Sequence, residues 1–118
     1  LGELAHALAA AYGCVAEVEY ERRYPPLITH AEETATSIGA AAALVGQENV
    51  IADAPPMTSA EDFSYMLQER PGGFMLIGNG VGPDGSFHDV HTPLYDFNDD
   101  ILTLGAAYWV SLVQKELA

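Results

Sequence analysis

The hydrophobic pattern changes its period within the first 21 residues of the chain. Apolar residues first recur three or four positions apart, which predicts a helix, and Gly13 stands where a left-handed C-terminal cap is expected. From residue 14 to residue 21 apolar and acidic residues alternate, which predicts a strand with one buried face and one solvated face. The apolar stripe of the helix consists of Leu1, Leu4, Ala5, Leu8, Ala9 and Tyr12.

Two adjacent prolines then interrupt the pattern. Pro25 and Pro26 fix two backbone φ angles and remove two hydrogen-bond donors, so they form a stiff break in secondary structure. The composition becomes rich in alanine after this break. We therefore expect a domain boundary or a hinge near residues 23–27.

Helices and strands alternate after the break. An alanine-rich helix is predicted from about residue 30 to 45, with Thr29 and Glu32 at capping-box spacing and Gly46 at its end. Short strands are predicted at residues 49–52 and 73–77. This alternation predicts a layered α/β fold. Two more helices complete the prediction, one headed by Ser59 and Asp62 and ending at Gln68 or Glu69, the last capped by Asn98 or Asp99.

The chain is strongly acidic. Seventeen Asp and Glu stand against four Lys and Arg in 118 residues, giving a formal net charge of -13. We expect neither nucleic acid nor an anionic membrane surface as a partner, because this charge would be repelled by their phosphates. Hydrophobic residues make up 49%, yet no apolar run reaches the roughly 20 residues of a membrane span. A lone cysteine, Cys14, cannot close an internal disulfide, which favours a reducing compartment and a cytoplasmic location.

A long loop at residues 78–98 holds two histidines, His88 and His91, together with several aspartates. Neutral imidazole beside carboxylate is a donor set that suits zinc or manganese. A complete site needs three or four protein ligands for each ion, and this loop offers part of one. The alternative interpretation is a polar surface loop that uses aspartate for turns and helix capping.

Two adjacent acids stand at the start of the third predicted helix. Glu61 and Asp62 lie in its first turn, where a carboxylate interacts favourably with the helix dipole, and this alone would explain Asp62. The functional alternative is a carboxylate that faces a site beside the loop at residues 78–98. The residue types by themselves favour the dipole interpretation.

Three stretches, taken in order, resemble one known group of enzymes. They are Tyr24-Pro25-Pro26-Leu27; Pro56 to Ser64 followed by Pro71-Gly72-Gly73-Phe74; and Val90-His91-Thr92-Pro93 continuing to Asp99. In this order the chain resembles the C-terminal part of the aminoacylase and hippurate-hydrolase group of metal-dependent amidohydrolases. That group includes the auxin-conjugate hydrolases and is akin to the co-catalytic zinc carboxypeptidases.

The resemblance implies a fold and a division into domains. Residues 1–26 would be the end of an α+β lid or dimerisation domain, namely its last helix and strand, together with the hinge. Residues 27–118 would be the C-terminal part of a layered α/β, zinc-peptidase-like catalytic domain. The chain starts within a helical pattern, so we expect it to be the tail of a longer parent protein.

The resemblance also implies a site. The histidine of the group's motif falls on His91, as a ligand of one of two divalent ions, with zinc or manganese preferred. The Glu-Asp-Phe motif falls on Glu61, Asp62 and Phe63, so Glu61 and Asp62 are expected to bind substrate or to support the metal site. The general base and the other ligands belong to earlier sequence, so no catalytic residue is expected in this chain. His91 alone cannot assemble the site.

The parent protein is accordingly expected to cleave N-acyl amino acids or related amides with a metal-activated water, while this chain alone is expected to be inactive. An orphaned helix and strand leave an apolar face and an unpaired edge, so a homo-oligomer is expected. The alternative hypothesis is a non-catalytic module that binds a small ligand or a protein.

Overall fold

The computed structural model describes residues 1–82 and 84–117 and is helical in that part of the chain. Short 3-10 turns at Gln47–Asn49 and Asp99–Ile101 accompany the second and fourth helices. The helices are α1 (Gly2–Ala11), α2 (Ala31–Val45), α3 (Phe63–Glu69) and α4 (Leu102–Glu116).

Glycine ends the first two helices, as predicted. Gly13 has a φ of +67°, and the N–H of Cys14 reaches back to the carbonyl of Ala9 at 2.8 Å, which is the hydrogen bond of a Schellman cap. Gly46 has a φ of +87° and its N–H donates to the carbonyl of Ala42 at 2.9 Å. Both predictions are confirmed because a positive φ is a local demand that glycine meets without steric cost.

The helix starts differ in part from the sequence prediction. Asn98 does cap the last helical segment, since its Oδ1 accepts the N–H of Asp100 at 3.0 Å. The predicted cap at Thr29 is wrong: the N-cap of α2 is His30, which makes no side-chain cap bond. At α3 the N-cap is Asp62, again without a side-chain cap bond. At α3 the Oε1 atom of the neighbouring Glu61 accepts the N–H of Phe63 instead.

No β-strand forms within residues 1–82 and 84–117, so the strands predicted at residues 14–21, 49–52 and 73–77 are not confirmed. The reason is the lack of a partner. In that part of the chain, residues 15–29 and 73–77 make no backbone–backbone hydrogen bond, and a strand exists only when a neighbouring strand pairs with it. The alternation of apolar and polar residues indicates which face of a segment is apolar, but it does not indicate which other segment would pair with it.

The packed part of the molecule joins α2, α4 and the turn after α3. A Cβ added to Gly73 would lie 2.9 Å from the Ser37 hydroxyl oxygen and 3.2 Å from the carbonyl oxygen of Glu33, so the backbone at residue 73 rests directly on α2. In the described residues the buried apolar side chains are those of Ala40 and Leu67. This is a very small core for 118 residues.

Most apolar side chains of the described chain remain open to solvent. The radius of gyration is 20.2 Å, against about 13–14 Å for a compact chain of this length. Trp109 is 64% exposed and lies in an apolar groove beside α4 that Ile77 and Phe97 also line. The described helices include none with the length and apolar character needed to cross a bilayer. The division into domains near residues 23–27 stays a prediction.

Candidate functional site

Two asparagines clamp the ends of the loop at residues 78–98 together. The Oδ1 atom of Asn79 accepts the N–H of Asn98 at 2.8 Å, and the side-chain amide of Asn98 donates to the carbonyl of Asn79 at 3.1 Å. The side-chain amide of Asn79 also donates to the carbonyl of Asp96 at 2.8 Å. The loop is therefore closed at its base, and its middle section, residues 84–94, is mostly exposed to solvent.

His91 lies in that middle section with an unusual backbone. Its φ is +67°, and it is the one described residue other than glycine with a positive φ. The hydroxyl of Thr92 donates to the carbonyl of Asp89 at 2.8 Å, and the N–H of Tyr95 donates to the carbonyl of Thr92 at 3.2 Å. These bonds hold a tight turn in which the imidazole of His91 is exposed. A non-glycine residue in this region costs free energy, and such residues concentrate at functional sites.

Glu61 and Asp62 differ in their hydrogen bonds at the start of α3. The Oε1 atom of Glu61 accepts the N–H of Phe63 at 3.2 Å, and the carbonyl oxygen of Glu61 accepts the hydroxyl of Ser64 at 2.6 Å. Ser64 is buried, so this second bond anchors Glu61 to the helix. The carboxylate of Asp62 is exposed and makes no cap bond. The side-chain hydrogen bond at the start of α3 is thus made by Glu61, while Asp62, the N-cap residue, keeps an exposed carboxylate near the positive end of the helix dipole, as the dipole interpretation requires.

The described residues do not assemble a metal site by themselves. Within residues 1–82 and 84–117, no three His, Cys, Asp or Glu side chains converge as a group that could hold an ion. His91 and the pair of Glu61 and Asp62 therefore do not form a joint ligand set in this chain. The donor chemistry still fits, since an exposed neutral imidazole is a good ligand for a divalent transition metal.

One carboxyl in the same loop has a perturbed acidity. The hydroxyl of Ser86 donates to Oδ1 of Asp84 at 2.6 Å, and the N–H of Ser86 donates to the same atom at 3.0 Å. The hydroxyl hydrogen bond, followed by the backbone one, lowers the pKa of Asp84 below its ordinary value of 3.8. This carboxylate is committed to its own turn, and it is therefore a weaker candidate ligand than the other loop aspartates.

Two long-range contacts, one at the start of α2 and one on α3, were not predicted from the sequence. His30 exchanges hydrogen bonds with Gly72, and the hydroxyl of Tyr65 donates to the carbonyl of Arg23. In both pairs the partners are 42 residues apart. Periodicity and capping patterns report neighbours within one or two helical turns, so no local signal could have found either contact.

Comparison with known proteins gives a coherent picture. The sequence matches Peptidase family M20/M25/M40 over residues 4–115. It is 33% identical over 110 residues to the N-acetyl-L-cysteine deacetylase of Bacillus subtilis, which covers 93% of this chain and 24% of that protein. It is 39% identical over 74 residues to the IAA-amino acid hydrolase ILR1-like 2 of Arabidopsis thaliana, covering 63% of this chain and 16% of that protein.

A third relative comes from an archaeon. The thermostable carboxypeptidase 1 of Saccharolobus solfataricus is 28% identical over 105 residues, covering 88% of this chain and 26% of that protein. The chain thus spans about a quarter or less of the length of these curated relatives. No solved structure matches it significantly.

Proposed function

The chain belongs to peptidase family M20/M25/M40, and from that premise we propose that it forms the C-terminal part of a metal-dependent amidohydrolase. Membership fits the expected α/β, zinc-peptidase-like domain. The observation that carries the proposal is the backbone of His91, held at a φ of +67° in the Val90–Pro93 segment that resembles the family's ligand motif. A histidine with this φ has a strained backbone, and a role as a metal ligand accounts for a strained residue at this position.

In this proposal His91 supplies one imidazole ligand to a pair of divalent ions, zinc or manganese. When bound, such ions polarise an amide carbonyl and activate water. The remaining ligands and the general base come from other parts of the parent protein. Support from this chain consists of the donor chemistry of His91 and the closed base of its loop at Asn79 and Asn98. The chain alone is expected to be inactive.

Glu61 and Asp62 complete the contribution of this chain. Glu61 is fixed at the start of α3 by its bonds to Phe63 and Ser64, so it is suited to a supporting role. Asp62 keeps a solvated carboxylate and is suited to contact a polar group of the substrate or an ordered water. Neither residue is assigned a proton transfer.

The substrate class follows from the relatives, whose names describe a deacetylase of an N-acetyl amino acid and a hydrolase of IAA-amino acid conjugates. We propose an N-acyl amino acid or a similar small amide. A net charge of -13 disfavours nucleic acids and anionic membranes as partners. Cytoplasmic location remains a prediction that rests on Cys14, which is a free and exposed thiol.

Self-association is the second part of the proposal. The stripe on α1 is open to solvent, with Leu4 68% and Leu8 59% exposed, and α1 buries no side chain. An exposed apolar stripe of this kind marks an interaction surface. Light scattering after size-exclusion chromatography is expected to give more than one chain per particle, and Leu4→Glu with Leu8→Glu should restore the monomer. A monomeric wild-type chain would refute self-association.

The decisive test of the hydrolase proposal uses the full-length protein that carries this segment. We expect two metal equivalents in the wild type and hydrolysis of an N-acyl amino acid. His91→Ala should lose about one equivalent and reduce turnover at least about 100-fold, because loss of a ligand exceeds the 10- to 100-fold effect of removing an outer-shell partner.

The matched control is His88→Ala, which removes an imidazole three positions away in the same loop and should leave both quantities intact. Full metal loading with unchanged turnover in His91→Ala would refute the ligand assignment. A wild-type protein with neither metal nor hydrolysis would instead favour the binding-module hypothesis.

A further inference from the structure

The connector, residues 12–30 between α1 and α2, is held against α3 by one tyrosine. The hydroxyl of Tyr65, on α3, donates a hydrogen bond to the carbonyl oxygen of Arg23. The ring of Tyr65 also lies against that of Tyr24, with the centroids 5.9 Å apart and the planes inclined at 56°. A polar and an aromatic contact therefore act on two consecutive residues just before Pro25 and Pro26.

Other restraints on this segment are weak. In the described chain, residues 15–29 take part in no backbone–backbone hydrogen bond, and the bond from Tyr65 is the one hydrogen bond that joins them to another element. The side chain of Arg23 pairs with Glu21 at 2.7 Å, but both side chains are about two-thirds exposed or more. Such a local, solvated ion pair contributes little to holding a chain segment in place.

Tyr65 also reaches the candidate acids through its own backbone. Its N–H donates to the carbonyl oxygen of Asp62 at 3.0 Å, within the first turn of α3. The same residue thus contacts the connector through its hydroxyl and the start of α3 through its amide.

We propose that Tyr65 is a latch that holds the connector at Arg23 and Tyr24 against α3. With the latch closed, residues 1–22 keep one direction relative to α3. With it open, the stiff Pro25-Pro26 pair remains intact and the chain pivots on the N-terminal side of the prolines. This inference goes beyond the proposed hydrolase function, because it concerns a contact within this chain and does not depend on a metal or on catalysis.

Limited digestion with trypsin tests the latch directly, because the carbonyl that accepts the Tyr65 hydroxyl belongs to the Arg23–Tyr24 peptide bond. Trypsin cuts after Arg and Lys unless proline follows, so Arg70 before Pro71 is resistant and Lys115 serves as an internal reference. Cleavage after Arg22 is distinguished from cleavage after Arg23 by the mass of the fragments. In Tyr65→Phe, cleavage after Arg23 relative to cleavage after Lys115 should rise about 2- to 10-fold. This is the factor that one hydrogen bond of ordinary net strength gives to an opening equilibrium.

The control is Tyr12→Phe, which removes the hydroxyl of an exposed tyrosine at the end of α1 and should leave the cleavage ratio at its wild-type value. An unchanged ratio in Tyr65→Phe would overturn the latch. So would an equal rise at Arg23 and Lys115, since that indicates a general loss of structure. Nuclear Overhauser contacts between the rings of Tyr24 and Tyr65 provide an independent readout, and their absence in the wild-type chain would also overturn the proposal.

Discussion

The N–H of His30 donates to the carbonyl oxygen of Gly72 at 3.0 Å, and the N–H of Gly72 donates back to Nδ1 of His30 at 3.2 Å. This reciprocal pair of hydrogen bonds joins the N-cap residue of α2 to the turn that follows α3. A ring nitrogen that accepts this hydrogen bond must carry a lone pair and not a hydrogen. The His30 side chain thus accepts a hydrogen bond from the distant Gly72 amide and not from an unpaired N–H group at the start of its own helix.

Removing this acceptor should expose the amide of Gly72. In His30→Ala we expect hydrogen exchange of the Gly72 N–H to accelerate about 2- to 10-fold, which corresponds to the net strength of one hydrogen bond. His30→Asn is the matched variant, because its Oδ1 can occupy the position of Nδ1 and should preserve most of the protection. Equal exchange of the Gly72 amide in wild type and His30→Ala, followed by NMR, would contradict the pairing.

A second prediction concerns the close approach of the chain at Gly73 to α2. In Gly73→Ala the new methyl group would lie 2.9 Å from the Ser37 hydroxyl oxygen and 3.2 Å from the backbone carbonyl oxygen of Glu33. The backbone must move, and we expect the free energy of unfolding to fall by about 1–3 kcal/mol. Urea unfolding followed by circular dichroism at 222 nm measures this.

Gly39→Ala is the control for that prediction. The new methyl group would meet only the end of the Lys115 side chain, which can swing into solvent. Since Gly39 lies within α2, alanine should instead stabilise the helix by up to about 1 kcal/mol. Equal destabilisation by both substitutions would show that the contact at Gly73 is not tight.

The sequence predicted those parts of the fold that depend on neighbouring residues. Gly13 and Gly46 end helices because each takes a positive φ, and Asn98 caps because its side chain reaches an N–H two residues later. The predicted strand at residues 73–77 is different, since its backbone needs a partner and finds none in the described chain. Pairing is a property of the assembled sheet, and one chain segment does not specify it.

The candidate site was predictable to a similar extent. Its residue types and the resemblance pointed to His91, and the structure adds that its backbone is strained. Which acid caps α3 was not predictable, because Glu61 and Asp62 both suit the first turn of a helix. The structure distinguishes them, since the Oε1 atom of Glu61 accepts the N–H of Phe63 at 3.2 Å and the Asp62 side chain makes no cap bond.

A third prediction follows from the acidity of Asp84. Two hydrogen bonds from Ser86 favour the ionised carboxyl and lower its pKa from the ordinary value of 3.8. Because the pKa of Asp84 is lower in the folded chain than in the unfolded chain, the ionised carboxylate stabilises the turn at pH values above the unfolded pKa. This stabilisation is lost as the pH falls through the folded pKa. In Ser86→Ala the pKa of Asp84 should rise toward 3.8, as measured by NMR titration of the carboxyl carbon.

The matched control for Asp84 is Ser59→Ala, which removes an exposed hydroxyl elsewhere in the chain. The Asp84 titration should be unaffected by it. An Asp84 titration that is identical in wild type and Ser86→Ala would show that the Ser86 hydrogen bonds do not persist in solution.

The last prediction separates the two consequences of replacing His91. Because its φ is +67°, alanine at this position retains the steric cost of the left-handed region, whereas glycine relieves it. We expect the His91→Gly form of this chain to be more stable than His91→Ala by about 1 kcal/mol in thermal unfolding. Gly85→Ala is the reference for the steric cost of alanine at a positive φ. Gly85 has a φ of +78°, and a new methyl group there meets nothing within 4 Å, so the cost comes from the backbone conformation.

The two His91 variants should nevertheless behave alike toward metal, because neither carries an imidazole. In the full-length protein each should lose about one metal equivalent, whatever its stability. If metal content instead followed stability, falling in His91→Ala and not in His91→Gly, the role of His91 would be to shape the turn. If both variants lose the ion equally while differing in stability, the strained backbone and the ligand are separate properties of one residue, and the proposed metal site keeps His91.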